Sequence, residues 1–147
     1  MFGKKAYVVS AIISIFSHKN TPFTILVDGK ELIEGMFTLV TVCNGQYYGG
    51  NMRIAPSAEI NDGLITLCLV SAMGRLKAFT LFPIMLLEKH TRLKAIKYIE
   101  CKRVTLMPED STTLCMDGNL YKRSEPLDFK ILPRAIRIFA EGCRVKV

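Results

Sequence analysis

The sequence predicts a mainly β fold of the α+β class: an antiparallel β-sandwich with an N-terminal helix and a helical insertion, spanning residues 1–147. Three observations carry that prediction. Apolar, β-branched runs of strand length recur at Phe23–Val27, Met36–Cys43, Leu64–Val70, Cys101–Met107 and Thr112–Met116. Asp-Gly pairs at 28–29, 62–63 and 117–118 punctuate these runs, and both residue types tolerate the left-handed backbone of tight turns. One segment, Met73–Tyr98, changes to helical spacing. A chain of 147 residues suits one domain, and with half of its residues apolar it has the means to bury a core. No internal repeat, low-complexity tract or linker divides it.

Taken in order, Lys4–Ser17 places Tyr7, Val8, Ala11, Ile12, Ile15 and Phe16 on a wide helical stripe. His18, Lys19 and Asn20 end that helix and Pro22 prevents its continuation; His18 fits the cation preference of a helix C-terminus. Phe23–Val27 and Phe37–Cys43 flank Asp28-Gly29 as a hairpin. The near-continuous apolar run Met36–Cys43 predicts a central strand buried on both faces. Leu64–Val70 is a further strand. From Met73 through Tyr98, Leu76, Phe79, Phe82, Leu86, Leu93, Ile96 and the adjoining Ile99 read as helix, interrupted or restarted near Pro83. Arg75, Lys77, Lys89, His90, Arg92, Lys94 and Lys97 give this segment a basic side. It reads either as a helix crossing a sheet or as a surface that docks on anionic lipid. His90 is isolated and reads as structural. Strands return at Cys101–Met107, Thr112–Met116, Phe129–Leu132 and Ala135–Phe139, with a corner at Asp117-Gly118-Asn119.

Composition narrows the function. Charged residues make up 22 %, too few for a disordered polyelectrolyte, and the net charge is +7. A basic balance suits nucleic acid, anionic membranes or phosphorylated ligands. No dense Lys/Arg run with interleaved aromatics occurs, which disfavours nucleic acid. The five cysteines (Cys43, Cys68, Cys101, Cys115, Cys143) form no C-x-x-C pair, and Cys43, Cys68 and Cys115 sit in apolar runs. They read as buried, reduced thiols of a cytosolic protein, not as zinc ligands. Lys4 and Lys5 before Tyr7–Phe16 imitate a signal peptide, but Ser10 and Ser14 interrupt the run and no small-residue cleavage site follows. The apolar run Leu81–Leu87 contains Pro83 and is too short to cross a bilayer.

The densest pattern runs from Asn44 to Val70 and reads N-G-Q-Y-Y-G-G-N-M-R-I-A-P-S-A-E-I-N-D-G-L-I-T-L-C-L-V. Tyr47-Tyr48 followed by Gly49-Gly50 reads as a shaped corner, because glycine lets a chain or ligand approach closely. This stretch resembles the C-terminal domain of the bacterial diacylglycerol kinase and YegS-type lipid kinase family. Asn44, Gly49, Gly50, Met52, Ala55, Pro56, Ala58, Asp62, Gly63 and Leu64 match in order, and P-L-D-F-K-I-L-P-R-A-I-R-I is a second similar segment downstream.

The resemblance implies an ATP-dependent kinase acting on diacylglycerol or a related lipid hydroxyl. It implies Asp117 as the catalytic general base. It implies Asn44, Gly49 and Gly50 as a substrate-side loop, and Asp62 as a structural Mg2+ ligand together with main-chain carbonyls of Glu59 and Leu64. Further Mg2+ would accompany the ATP. The chain departs from the pattern at Asn119 and Thr66, where the family carries acids. The family's G-G-D-G-T nucleotide motif does not occur in these residues, so only the second half of a typical member is matched. The chain alone is therefore expected to be incomplete, its partner an N-terminal nucleotide-binding domain and its place cytoplasmic and peripheral to the membrane. Exposed apolar surface on such a half predicts self-association. A non-catalytic lipid-binding or interaction module of the same descent is the alternative, and a kinase acting on NAD or a sphingoid base is a weaker one.

Overall fold

The computed structural model describes residues 19–48, 52–117 and 119–136. The expected N-terminal helix at residues 4–17, the glycines Gly49 and Gly50, and Cys143 lie outside them. Among the described residues ten strands and one α-helix follow one another: β1 Thr21–Val27, β2 Glu31–Cys43, β3 Tyr47–Tyr48, β4 Met52–Arg53, β5 Ile65–Ser71, α1 Arg75–Leu86, a 3-10 turn at His90–Arg92, β6 Ile96–Cys101, β7 Arg103–Pro108, β8 Thr112–Met116, β9 Asn119–Arg123 and β10 Leu127–Lys130. Every pairing is antiparallel. Six strands form one sheet in the order β10-β7-β1-β2-β5-β6, while β3-β4 and β8-β9 form two small hairpins.

Connectivity forces the main sheet to fold back on itself. Lys102 alone joins β6, at one edge, to β7, four places away in the order. Strands lie about 4.8 Å apart, so a flat sheet would separate β6 from β7 by roughly 19 Å. Two residue steps span at most about 7 Å. The sheet therefore closes into a sandwich, and its inner faces meet in one core of Ile25, Val27, Phe37, Ile65, Leu67, Leu69, Cys101, Val104 and Leu106.

A second core lies on the other side of β5. Cys68 and Val70 from that strand meet Cys43, Ile54, Ala55, Ala58, Ile96, and Leu81 and Met85 of α1. β5 is thus the strand buried on both faces, with Ile65 to Val70 all buried. β2 is not, contrary to the sequence expectation: Leu32, Met36 and Leu39 keep 57, 48 and 38 % of their surface. A run of apolar residues cannot tell a two-sided strand from a one-sided strand; the layer over the second face decides, and here α1 lies over β5.

The helical reading of Met73–Tyr98 also needs correction. The helix ends at Leu86, and Ile96–Cys101 is a strand paired with β5, Ile96 opposite Val70 and Tyr98 opposite Cys68. Pro83 sits within α1 without ending it. The stop comes from Glu88, whose left-handed backbone (φ 56°) lets Lys89 N–H reach back to the Ile84 carbonyl at 3.1 Å. The run Cys101–Met107 is two strands, broken at Lys102. Cys115 is exposed on β8, where a buried thiol was expected. Ala135 and Ile136 are not in a strand.

Candidate functional site

The three Asp-Gly turns, equivalent as sequence, have three different fates. At the β1–β2 turn Asp28 takes φ 49° and its Oδ1 accepts the N–H groups of Lys102 at 2.8 Å and Arg103 at 2.9 Å. Its own N–H donates to the Arg103 carbonyl at 2.9 Å. This carboxylate clamps the corner where the sandwich closes. At the entry to β5, Asp62 Oδ1 accepts the N–H of Leu64, two residues on, at 2.8 Å, and Gly63 takes φ 73°. A side chain at 63 would meet Pro133 Cγ at 3.4 Å, so the turn after β10 packs directly on this loop. Asp117, at φ 47°, opens the two-residue loop of the β8–β9 hairpin, where Met116 pairs with Asn119. It is exposed, and its carboxylate takes no hydrogen bond from the described residues.

Asn44 is exposed where β2 ends, at the head of the glycine-rich loop. That loop is tied down by side-chain hydrogen bonds that the sequence did not reveal. Arg53 donates from Nε to Gln46 Oε1 at 2.9 Å and from Nη1 to Glu88 Oε2 at 3.1 Å. Tyr98 O–H donates to the Ile54 carbonyl at 2.8 Å, and the fully buried His90 adds its Nε2 at 3.2 Å. A carbonyl acceptor requires the proton on Nε2, which leaves Nδ1 as a buried acceptor without a partner among the described residues. His90 is therefore structural, as the sequence suggested, and its burial removes it from any basic surface. A second tie holds the link between β5 and α1 against β2 and the start of β1: Thr38 donates to Asn20 Oδ1 at 2.8 Å and accepts Met73 N–H at 3.0 Å. These partners lie 18 to 53 residues apart, so no local pattern marks them.

Burial sets the electrostatics behind the loop. It pushes the Cys43 thiol up to about 12, with Cys68 beside it adding to the effect, and the Cys68 thiol to about 11. Burial raises the Tyr98 phenol in the same way. These groups stay neutral and offer no nucleophile. On the far edge, Arg103 holds Asp128 below the usual carboxylate range through Nε–Oδ1 and Nη2–Oδ2 contacts, each 2.8 Å.

No group of three or more His, Cys, Asp or Glu side chains capable of holding a metal occurs among the described residues. A cation at Asp62 would thus rely on this one carboxylate and on main-chain oxygens, for which Glu59 and Leu64 are the candidates. An all-oxygen set with one charge fits a hard, partly hydrated ion such as Mg2+. Thr66, where the family carries an acid, is 2 % exposed in β5 and adds no carboxylate. Asn119 is exposed beside Asp117 and adds none either. Asp62 lies in the loop entering the six-stranded sheet and Asp117 in the turn of the separate β8–β9 hairpin, and no hydrogen bond or ion pair joins them among the described residues. Next to the Asp117 hairpin, a cleft of about 300 Å³ opens between β8 and β10, lined by Leu114, Met116, Glu125, Pro126, Leu127, Asp128 and Phe129.

A closed antiparallel sandwich with a helix over one strand and exposed loops at its ends is the class of domain these features define. The chain belongs to the family described as the YegS C-terminal NAD kinase beta sandwich-like domain, whose model matches residues 1–140. It is 29 % identical over 140 residues to the diacylglycerol kinase of Bacillus subtilis, covering 94 % of this chain and 45 % of that protein. It is 25 % identical over 141 residues to the diacylglycerol kinase of Mycobacterium tuberculosis, covering 92 % of this chain and 43 % of that one. In structure it resembles a diacylglycerol kinase from Bacillus anthracis, with a TM-score of 0.66 and 22 % identity over 86 % of this chain and 42 % of that one. The chain thus spans less than half the length of these relatives.

Proposed function

We propose that this chain forms the acceptor-side half of an ATP-dependent lipid kinase, with Asp117 as the general base. One observation carries the reading. Of the three Asp-Gly carboxylates, Asp28 and Asp62 are committed to backbone N–H groups, whereas Asp117 stands exposed on a hairpin tip with its oxygens unclaimed by the described residues. A base must be open to the proton it removes. The resemblance to diacylglycerol kinases supports a lipid hydroxyl as the acceptor, and the mixed cleft beside the hairpin offers Leu114, Met116, Leu127 and Phe129 to the adjoining hydrocarbon alongside the acids Glu125 and Asp128.

In the proposed reaction Asp117 orients the hydroxyl and takes its proton. The oxygen forms a bond to the terminal phosphorus of ATP as the bond to the bridging oxygen breaks, and ADP leaves. Mg2+ would supply charge neutralisation on the phosphates, and a second ion at Asp62, Glu59 and Leu64 would brace the loop into β5. Asn44, Gly49 and Gly50 would face the acceptor. A nucleotide-binding half completes the site, and the enzyme would work from the cytoplasm at a membrane surface.

The test joins this chain to a nucleotide-binding domain of the family and measures phosphate transfer from ATP to diacylglycerol in mixed micelles. Asp117→Asn keeps a residue that tolerates left-handed backbone and removes the base, so transfer should fall by about 10²–10⁴-fold. Transfer indifferent to Asp117 would refute the assignment. Absence of transfer with lipid binding retained would favour a binding module, the reading that the missing acids at Asn119 and Thr66 support.

A further inference from the structure

A hairpin of two-residue strands does not hold itself. Among the described residues β3 and β4 pair at Tyr47–Arg53 and Tyr48–Met52 alone, and an isolated two-stranded hairpin is marginal in water. The returning side is anchored. Ile54 and Ala55 are 2 and 0 % exposed, and the Ile54 carbonyl meets both Tyr98 and His90. The outgoing side, Asn44 to Tyr48, lies mostly at the surface. Gln46 ties it to the anchored side twice. Its carbonyl accepts the Ala55 N–H at 3.2 Å, and its side-chain oxygen accepts Arg53 Nε at 2.9 Å. Next to it, Gly45 lies against the Asp62 loop, where a Cβ would meet Ile60 Cγ2 at 3.5 Å.

Arg53 carries the hold onward. Its Nη1 donates to Glu88 Oε2 at 3.1 Å. Glu88 is itself fixed: its N–H donates to the Met85 carbonyl at 3.0 Å, and the N–H of Lys89 to the Ile84 carbonyl at 3.1 Å. Glu88 stands at φ 56°, one residue past the helix C-cap, where glycine or asparagine sits without strain. A glutamate there is strained by more than an ion pair returns when its side chains are 32 and 50 % exposed. Stability alone therefore does not account for Glu88. A strained residue points to a task, and the task of this carboxylate among the described residues is to hold Arg53. Charge argues against the other use of an arginine in a kinase. Glu88 already answers the guanidinium, so Arg53 is placed to hold a loop and not to meet a phosphate.

We propose that Arg53 is the positioning residue of the acceptor loop: bridging Gln46 and Glu88, it holds Asn44 and its neighbours to the turn after α1, in the form that receives the acceptor hydroxyl. The identity of the acceptor rests on the lipid-kinase reading; the bridge itself does not.

Amide exchange of the chain alone, followed by mass spectrometry, reads the hold. Titration with dispersed dioctanoylglycerol reads acceptor binding, and neither measurement contains nucleotide. Arg53→Gln should speed exchange across residues 44–48 about tenfold and weaken dioctanoylglycerol binding about tenfold, with exchange in β5 unchanged. Lys30→Gln, exposed on the β1–β2 turn, should change neither. Glu88→Gly separates position from stability. It relieves the strain, so the chain should melt no lower and up to about 3 °C higher, yet residues 44–48 should exchange as fast as in Arg53→Gln. In the joined enzyme Arg53→Gln should raise KM for diacylglycerol about tenfold and leave kcat within about threefold, whereas Asp117→Asn acts on kcat. Unchanged exchange or unchanged dioctanoylglycerol binding in Arg53→Gln would overturn the assignment, as would a fall in kcat at constant KM. So would no dioctanoylglycerol binding by the unchanged chain, or a Glu88→Gly chain melting more than about 3 °C lower, because the pair would then serve stability. Absence of transfer from the joined enzyme, with exchange and binding as expected, would refute the kinase chemistry and uphold the bridge.

Discussion

Replacing Asp28 tests how the sandwich is closed. Its Oδ1 accepts two backbone N–H groups across a separation of 74 and 75 residues, and its backbone is left-handed at φ 49°. Both bonds are exposed, so water can replace them in part, and each is worth about 1 kcal/mol. Alanine in the left-handed region costs a further ~1–2 kcal/mol. Asp28→Ala should therefore lose about 3–4 kcal/mol. Asp28→Gly removes the backbone strain and keeps only the lost bonds, about 2 kcal/mol. Asp28→Asn keeps an oxygen acceptor and a residue tolerant of that backbone, so it should lose no more than ~1 kcal/mol. At roughly 3 °C per kcal/mol for a chain of this size, the alanine variant should melt about 10 °C lower. Urea unfolding at neutral pH gives the order, with unchanged slope showing that only stability has moved. Glycine worse than alanine would refute the strain contribution. Alanine equal to the unchanged chain would refute the clamp, and with it the account of Lys102 as a held corner.

Three further predictions concern the cores. Tyr98→Phe removes one of two donors to the Ile54 carbonyl and should cost about 1 kcal/mol; combined with His90→Phe, the loss should exceed the sum of the two single changes, because the carbonyl then has neither donor. A thermodynamic cycle from urea midpoints reads this, and strict additivity would contradict a shared acceptor. Folded-state thiol values of about 12 for Cys43 and about 11 for Cys68 and Cys101, against an ordinary 9.0, mean that the folded chain keeps protons the unfolded chain releases first. Their contribution is whole below pH 9 and declines as pH rises toward 11–12, by about 1 kcal/mol per thiol at pH 10; a urea midpoint unchanged between pH 8 and 10 would count against it. Under native conditions a thiol reagent should modify Cys115 at least about 100-fold faster than Cys43, Cys68 or Cys101, followed by mass mapping; comparable rates would mean that the cores open readily.

The strand-and-turn grammar was legible because it is local. Asp28-Gly29 and Asp117 are hairpin corners in the structure, and Leu64–Val70 is shifted by one residue to Ile65–Ser71. Errors fall where a distant layer decides. Ile96 and Ile99 extend the helical spacing of Leu93, yet pairing with β5 draws them into a strand. Met36–Cys43 looked two-sided because its composition matches that of β5, which has α1 over its second face. Cys115 sits in an apolar run but on the separate β8–β9 hairpin, away from both cores. The site shows the same division. The resemblance pointed to Asp62 and Asp117 as candidates, whereas the bonds that Asp28, Tyr98, Asn20 and Thr38 make to residues far along the chain left no local mark.

β5 explains why these scattered parts act together. One end receives the Asp62–Leu64 turn, and the other, at Ser71, leads through Ala72–Gly74 into α1. Ala72 N–H is held by the Met36 carbonyl at 2.9 Å and Met73 N–H by Thr38. The seven residues between cover roughly 23 Å. They are buried on both faces through Val70, and paired along both edges. A strand so enclosed cannot tilt or slip without opening both cores. The loop proposed to hold a cation and α1 are therefore fixed to opposite ends of a strand that is buried on both faces and paired on both edges. Loosening the hold on α1, as Thr38→Val would by removing the acceptor of the Met73 N–H, should disturb the position of the helix before it disturbs the Asp62 turn.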